Sequence, residues 1–292
     1  MDTQPMILAA PPPSGLFLTL TLARNADVRE ARTAVANLPP DDNLVLGLGE
    51  PFLQALGCSL DGLHAFRSLV GPGGAFPSTQ GDLWIFLGGP DAGTVLHRAR
   101  ALTARLAGPF TVVEETPSFV FDGGRDLSGY EDGTENPKDS RAVEVAVIAG
   151  DRPGISGGSF VAIQRWVHDL SALERMSPKE RDHVMGREVA SNQEIADAPV
   201  SAHVKRTAQE SFDPEAFMVR RSMPWGDRLT HGLYFVAYGN TLDPFERVLS
   251  RMAGLEDGVP DALLRFTRPV TGGCIFCPPL RDGRLDLRIL GA

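Results

Sequence analysis

Strand-like and helical stretches alternate along this chain in an order that restricts its topology more than any other feature. SGLFLTLTLA (14–23) is apolar and β-like, and a helix start follows, with Asp27 as N-cap and Glu30 three positions on. NLVLGLG (43–49) is a second strand, with a short helix expected near 51–57. DLWIFLGG (82–89) is a third, and a long helix covers roughly 92–107 before Gly108-Pro109 stops it. FTVVEE (110–115) is the fourth strand. The order is β-α-β-β-α-β.

The second half repeats this theme with more interruptions. GGSFVAIQRWVHDL (157–170) begins as a strand, and Ser177-Pro178-Lys179-Glu180 opens a helix with an N-cap, a proline at the first position and a glutamate at the third. MVRRSMPWG (218–226) and GLYFVAYGN (232–240) read as an antiparallel pair. Asp243-Pro244-Phe245-Glu246 caps a helix ending near Gly254, and LLRFTRPVTGGCIFCPP (263–279) finishes the sheet. The expected fold is α+β: two ferredoxin-like halves with antiparallel sheets. Residues 15–135 form the first and 136–292 the second, behind a disordered lead of residues 1–14. A Gly/Pro-rich joint covers about 116–156, and the crevice between halves is a favoured ligand site.

Charge excludes some partners. The formal net charge is −9, so no domain-scale basic field exists to hold nucleic acid. No run of about 18 apolar residues is present, which argues against a membrane span. The N-terminal MDTQPMILAAPPPSG has no basic region and no twin arginine, and the expected location is the cytoplasm. Of the three cysteines, Cys274 and Cys277 form a CxxC inside an apolar β-like run, without the second pair or histidine that a zinc site needs. They are expected to be partly buried strand residues.

GYEDGTENP (129–137) places three carboxylates, Glu131, Asp132 and Glu135, on a loop with two glycines and a proline. It lacks the alternating oxygen ligands of a calcium loop. The six histidines are His64, His97, His168, His183, His203 and His231. His97 and His183 fall on polar helix positions, and nothing near His64, His168 or His231 in the sequence converges on them. His203 stands apart in DAPVSAHVKRT (197–207), where a loop meets the basic pair Lys205-Arg206. In MVRRSMPWG, strand alternation puts Arg220 and Ser222 on one face and Arg221 on the other. A buried arginine there needs an anion, either an acid of the protein or an anionic ligand.

GGRDLSGYEDGTENP resembles the GxxDG region of the dye-decolourising peroxidases, haem enzymes of the dimeric α+β barrel superfamily, with Gly129, Asp132 and Gly133 matching and TENP following as in the bacterial intracellular, class B-like subgroup. HVKRT resembles the segment of that family's axial histidine, MVRRSMPWG the strand of its distal arginine, and TRPVTGG with the closing apolar strand its C-terminal end. The likeness runs from about residue 15 onward, in the family's order.

The resemblance implies one haem b per chain, with His203 as axial ligand to its iron. The carboxylate that accepts from the second imidazole nitrogen would be Glu215. Asp132 would be the distal acid that moves a proton between the peroxide oxygens, on a loop that Gly133 lets turn tightly. Arg220 would stabilise bound hydroperoxide, always as a cation. Ser222 falls where some relatives carry asparagine. Lys205 and Arg206 are candidates to pair with haem propionates. The implied activity reduces hydrogen peroxide through a ferryl intermediate and oxidises dyes, phenols or similar small-molecule reductants. Tyr130, Tyr234, Tyr238, Trp84, Trp166 and Trp225 are candidate electron relays. The same resemblance leaves a haem carrier or haem-processing protein, deferrochelatase-like, as the alternative. It also implies a homo-oligomer, and the short C-terminal tail leaves room for loading into an encapsulin shell.

Overall fold

A computed structural model describes residues 2–291. Its strands are β1 (Ser14–Leu22), β2 (Leu44–Gly49), β3 (Leu69–Gly71), β4 (Gly74–Phe76), β5 (Leu83–Gly89), β6 (Phe110–Phe119), β7 (Ser159–His168), β8 (Val219–Arg220), β9 (Met223–Gly226), β10 (His231–Gly239), β11 (Thr267–Pro269), β12 (Gly273–Cys277), β13 (Leu280–Arg281) and β14 (Arg284–Leu285). The helices are α1 (Val28–Ala36), α2 (Glu50–Ala55), α3 (Ala92–Leu106), α4 (Asp139–Ala146), α5 (Leu170–Glu174), α6 (Pro178–Met185), α7 (His203–Arg206) and α8 (Asp243–Met252). Ser177 and Glu180 form the expected reciprocal cap at the start of α6. Asp27 caps α1 by accepting from the Arg29 amide at 2.7 Å.

The principal sheet runs β11-β7-β12-β2-β5-β1-β6-β9-β10-β8, and a further pairing of β7 with β10 closes it. The ring is β1-β5-β2-β12-β7-β10-β9-β6 and back to β1, with every pairing antiparallel. Strands from both halves of the chain therefore build one closed barrel, which leaves neither half with a free central edge. Strand order is alike on the two sides: β2-β5-β1-β6 in the first half and β9-β10-β7-β12 in the second.

Alternation along the strands divides the apolar residues into two layers. On β1, Leu16, Leu18 and Leu20 join the outer core, which α3 covers, while Phe17 faces the barrel interior. On β5, Leu83, Ile85 and Leu87 lie outward and Trp84 and Phe86 inward. Phe17 stacks on Tyr234 of β10 with ring centroids 3.9 Å apart, although β1 and β10 are not neighbours in the ring. The contact therefore crosses the barrel lumen, where the Trp84 indole also donates to the Tyr234 hydroxyl at 3.1 Å. The lumen is a packed core with no open channel through this layer.

Cys274 and Cys277 follow the same rule. Three positions apart on a strand, they face opposite layers, Cys274 outward and Cys277 inward. Burial raises both thiols, Cys274 to about 12, so neither is a ready thiolate.

The disordered lead expected over 1–14 is corrected for the described residues 2–14, Met1 lying outside them. The Gln4 side chain, 2% exposed, donates to the carbonyls of Leu46 and Pro278 at 2.8 and 2.9 Å and accepts from the Leu46 amide at 2.8 Å. Met6 and Ile7 are buried in the inner cluster. This segment is ordered because it satisfies backbone groups beside β2 and covers apolar side chains. At the other terminus, Leu287 and Leu290 are buried too, so the apolar tail packs on the core.

The seam between β7 and β10 is tight at Gly232. A Cβ there would sit 2.0 Å from the Trp166 carbonyl oxygen, a backbone atom that cannot swing aside. Gly232→Ala is expected to destabilise the barrel by about 1–3 kcal/mol through overpacking, read as a lower midpoint in urea unfolding.

Candidate active site

Two adjoining cavities lie on the outer side of the second half's sheet, holding about 1110 and 720 Å³ of empty space with their open mouths included. Asp132, His168, His203 and Arg220 line both. The inner chamber is walled by apolar residues of β10 and α8, among them Leu233, Phe235, Phe245, Leu249 and Met252. The mouth carries carboxylates, including Glu131, Glu135 and Glu194. This is a concave, largely apolar chamber with a few convergent polar groups, the usual form of a cofactor site.

His203 is the first residue of α7, and its Nδ1 lies 2.7 Å from Oδ2 of Asp261. Asp261 is 2% exposed and is held by the Leu263 amide at 2.8 Å. The carboxylate accepts, so Nδ1 carries the proton and Nε2 keeps its lone pair for the cavity. This corrects the assignment of Glu215, which is exposed and lies 3.4 Å from Arg141. The acid that orients His203 comes instead from the segment after α8, 58 positions further on.

Lys205 and Arg206 are corrected as well. Lys205 pairs with Glu194 at 2.7 Å. Arg206 turns away and forms a fork with Asp257, both contacts at 2.8 Å, and also donates to the Arg251 carbonyl. The hydrogen bond from Arg206 holds the Asp257 carboxyl down at about 2. Neither basic residue lines either cavity.

The loop 129–137 is fastened to the site by side chains whose role the sequence did not reveal. Asn136 donates to the Arg220 carbonyl at 2.9 Å and accepts from the Arg220 amide at 2.8 Å, so one amide locks the loop to β8. Gln209 donates to the Glu135 carbonyl at 3.2 Å and accepts from the Met218 amide at 2.9 Å. Gly133 has φ +74, and a Cβ there would meet the Asn136 amide nitrogen at 2.6 Å, so the turn and the clamp both require glycine. The three loop acids do not converge. Glu131 pairs with Arg125 at 3.1 Å and Glu135 with Arg187 at 2.6 Å, both exposed, whereas Asp132 lines the cavity and forms no ion pair among the described residues.

Arg220 ends β8, and its side chain reaches both chambers. Among the described residues it has no carboxylate partner, and its Nε is buried without a hydrogen bond. The expected even alternation through Ser222 does not hold, because the strand breaks at Arg221-Ser222 before β9. Ser222 borders a neighbouring cleft shared with Asp132 and Arg220, and its Oγ accepts weakly from the Val236 amide at 3.4 Å.

His168 was expected to stand alone and does not. Its Nδ1 lies 2.6 Å from Thr267 Oγ1 and its Nε2 3.1 Å from Asp126 Oδ1. Thr267 Oγ1 also lies 3.1 Å from the Val167 carbonyl, so threonine, imidazole and carboxylate form one buried hydrogen-bonded chain. Burial would raise the Asp126 carboxyl, but the hydrogen bond and charge of His168 hold it below the usual range. This pair, bringing positions 126 and 168 together in the cavity wall, has no local sequence signal.

Residues 123–282 match the family model described as Dyp-type peroxidase, C-terminal. A dye-decolorizing peroxidase of Mycolicibacterium paratuberculosis is 32% identical over 94% of this chain and 83% of its own length. One from Mycobacterium tuberculosis is 31% identical over 94% and 88%. Among solved structures, a dye-decolorizing protein from V. cholerae is 30% identical, with a TM-score of 0.84 over 98% of each chain. A variant of Rhodococcus jostii RHA1 DypB in complex with heme is likewise 30% identical, with a TM-score of 0.84 over 94% of this chain and 95% of that one. With the closed barrel and the gathered site already in place, the chain belongs to the Dyp-type peroxidase family of enzymes.

Proposed function

We propose that this peroxidase is haem-dependent, reduces hydrogen peroxide and oxidises small one-electron donors such as dyes and phenols, on a barrel of two ferredoxin-like halves. One observation carries the reading. A histidine with Nδ1 anchored by a buried carboxylate shares a cavity with an aspartate and an arginine that have no ionic partner among the described residues. A protein that only stores haem has no need of that acid and cation. The residues fit the cofactor: apolar walls suit a porphyrin face, and His203 offers Nε2 to its iron. When bound, haem supplies the redox chemistry by which peroxide is reduced and donors are oxidised in single-electron steps.

The chain's own groups supply position and protons. Asp261 fixes the tautomer and orientation of His203 and raises its basicity. Asp132 takes a proton from one peroxide oxygen and delivers it to the other, which lets water leave. Arg220 stays protonated and stabilises the negative charge that develops as the O–O bond parts. Asn136 holds the loop of Asp132 against the backbone of Arg220, so acid and cation keep a common frame.

The test is a stopped-flow visible spectrum of the haem-loaded protein with one equivalent of hydrogen peroxide. A fast shift of the Soret band, reversed by a phenolic donor, is expected. Slow bleaching without a donor-reversible change would instead fit a haem carrier. Asp261→Asn keeps the shape but removes the charge behind His203. The reduction potential of the bound iron should rise in this variant, measured by spectroelectrochemistry, because a less basic imidazole stabilises the ferric state less.

A further inference from the structure

Asp132 lines the cavity and forms no ion pair among the described residues, so the place of its carboxyl depends on how its loop is held. One end of the loop is clamped by Asn136 to the backbone of Arg220 in β8. The other end closes on Asp126. The Asp126 amide donates to the Tyr130 carbonyl at 2.9 Å, and its own carbonyl accepts from the Gly129 amide at 2.8 Å. Its Oδ2 accepts from the Ser128 amide at 2.8 Å. These bonds gather residues 126–130 into one turn, with Gly129 at φ +90. Glu131 and Asp132 follow it directly.

His168 links this turn to the principal sheet. It is the last residue of β7 and 8% exposed, and its Nε2 lies 3.1 Å from Asp126 Oδ1. Its Nδ1 lies 2.6 Å from Oγ1 of Thr267, its register partner on β11. The Phe266 ring packs edge-on against the imidazole, with centroids 5.8 Å apart. The imidazole is therefore held at both nitrogens and by a neighbouring ring. In the sheet, β7 pairs along one edge of β10, and β8 and β9 pair along the other. The acidic loop thus crosses β10, whose Leu233 and Phe235 line the inner chamber. His168 stands at one abutment and the Arg220 backbone at the other.

We propose that His168 is a positioning residue for Asp132: through Asp126 it holds the near end of the acidic loop, as Asn136 holds the far end. The inference rests on the reading of Asp132 as the proton carrier. A carrier works only within hydrogen-bond reach of the atoms it serves, and a misplacement of about 1 Å costs on the order of 100-fold in rate. Asp132 has no ionic partner to hold it, so a slack loop would let it drift by that much. His168 itself touches neither peroxide nor donor in this role, because both of its nitrogens are engaged in the wall.

The experiment compares the full-length parent with His168→Asn and His168→Gln. The glutamine amide reaches Asp126 as Nε2 does, whereas the asparagine amide, one methylene shorter, stays near Thr267. A loss caused only by a smaller side chain in the wall would appear in both. Amide hydrogen exchange, read by mass spectrometry, should quicken by about tenfold or more over residues 126–133 in His168→Asn, with β1 and β5 unchanged, and return to within about threefold of the parent in His168→Gln. With haem bound, the reaction with one equivalent of peroxide should slow by about 10–100-fold in His168→Asn and recover in His168→Gln. Added to Asp132→Asn, His168→Asn should slow the reaction by less than about twofold more, since it acts through that acid. Unchanged exchange over 126–133, or a loss that multiplies in full with that of Asp132→Asn, would overturn the proposal. A normal peroxide rate in Asp132→Asn alone would overturn the proton-carrier reading instead, and the exchange data would then decide by themselves whether His168 holds the loop. Should His168→Asn not fold, Asp126→Ala cuts the same link from the loop side and is read in the same way.

Discussion

His203→Ala, purified and incubated with haem, should show no native Soret band and should not retain the cofactor on a desalting column. Among the described residues, the histidine is the one imidazole lining the cavity whose second nitrogen has no hydrogen-bond partner, since both nitrogens of His168 are engaged by Thr267 and Asp126. Loss of an outer partner of a metal-bound histidine costs about 10–100-fold in affinity, so loss of the ligand itself should exceed that range. His203→Ala also strands the Asp261 carboxylate, buried and without its partner. A second effect follows: the variant should be less stable even without haem, by about 1–3 kcal/mol, the cost of leaving one buried acceptor unsatisfied. Retention of haem with an unchanged spectrum would remove His203 from the axial position and move attention to His168.

The second large effect is expected from the acid and the cation across the cavity. Asp132→Asn should slow the reaction with peroxide by about 10²–10⁴-fold, the usual contribution of a positioned proton carrier. Arg220→Ala should slow it by about 10²–10³-fold, the usual loss of one electrostatic donor to developing charge. Haem content should be unchanged in both, which separates these variants from His203→Ala. Because Asn136 clamps the Asp132 loop to the backbone of Arg220, the two groups act within one frame, and the double variant should lose less than the product of the single losses. Stopped-flow rates at several peroxide concentrations decide it. Near-normal rates in both single variants would dismiss the proton-transfer role and leave the cavity as a haem-binding site.

Much of the site was legible because its chemistry is written locally. The loop GYEDGTENP carries two glycines with positive φ, the acid that lines the cavity and the asparagine that fastens it, all within nine consecutive residues. His203 and Arg220 each sit in short segments whose likeness to a family was visible. Groups defined by contact across the fold were not legible. Glu215 is the carboxylate that the resemblance implies behind His203, yet it lies 3.4 Å from Arg141 at the surface, and the acid that reaches Nδ1 is Asp261. Lys205 and Arg206 looked free because their partners, Glu194 and Asp257, lie elsewhere in the chain. Asp126 and His168 meet only because β7 brings position 168 beside the start of the loop.

By itself the sequence determined the β-α-β-β-α-β order of the first half's principal elements, while α4 lies inside the stretch expected to be a joint. Asp132, His203 and Arg220 were pointed to by the likeness of their short segments to a family, and the fold brings all three to the same cavities. Only the tertiary structure decided that β7 pairs with β10 to close one barrel, that the N-terminal segment is packed through Gln4, and that Asp261 is the residue behind His203. These depend on which distant backbones meet at hydrogen-bond distance. No local pattern encodes that choice, because any of the chain's carboxylates could satisfy the same imidazole until the chain's path brings one of them within reach.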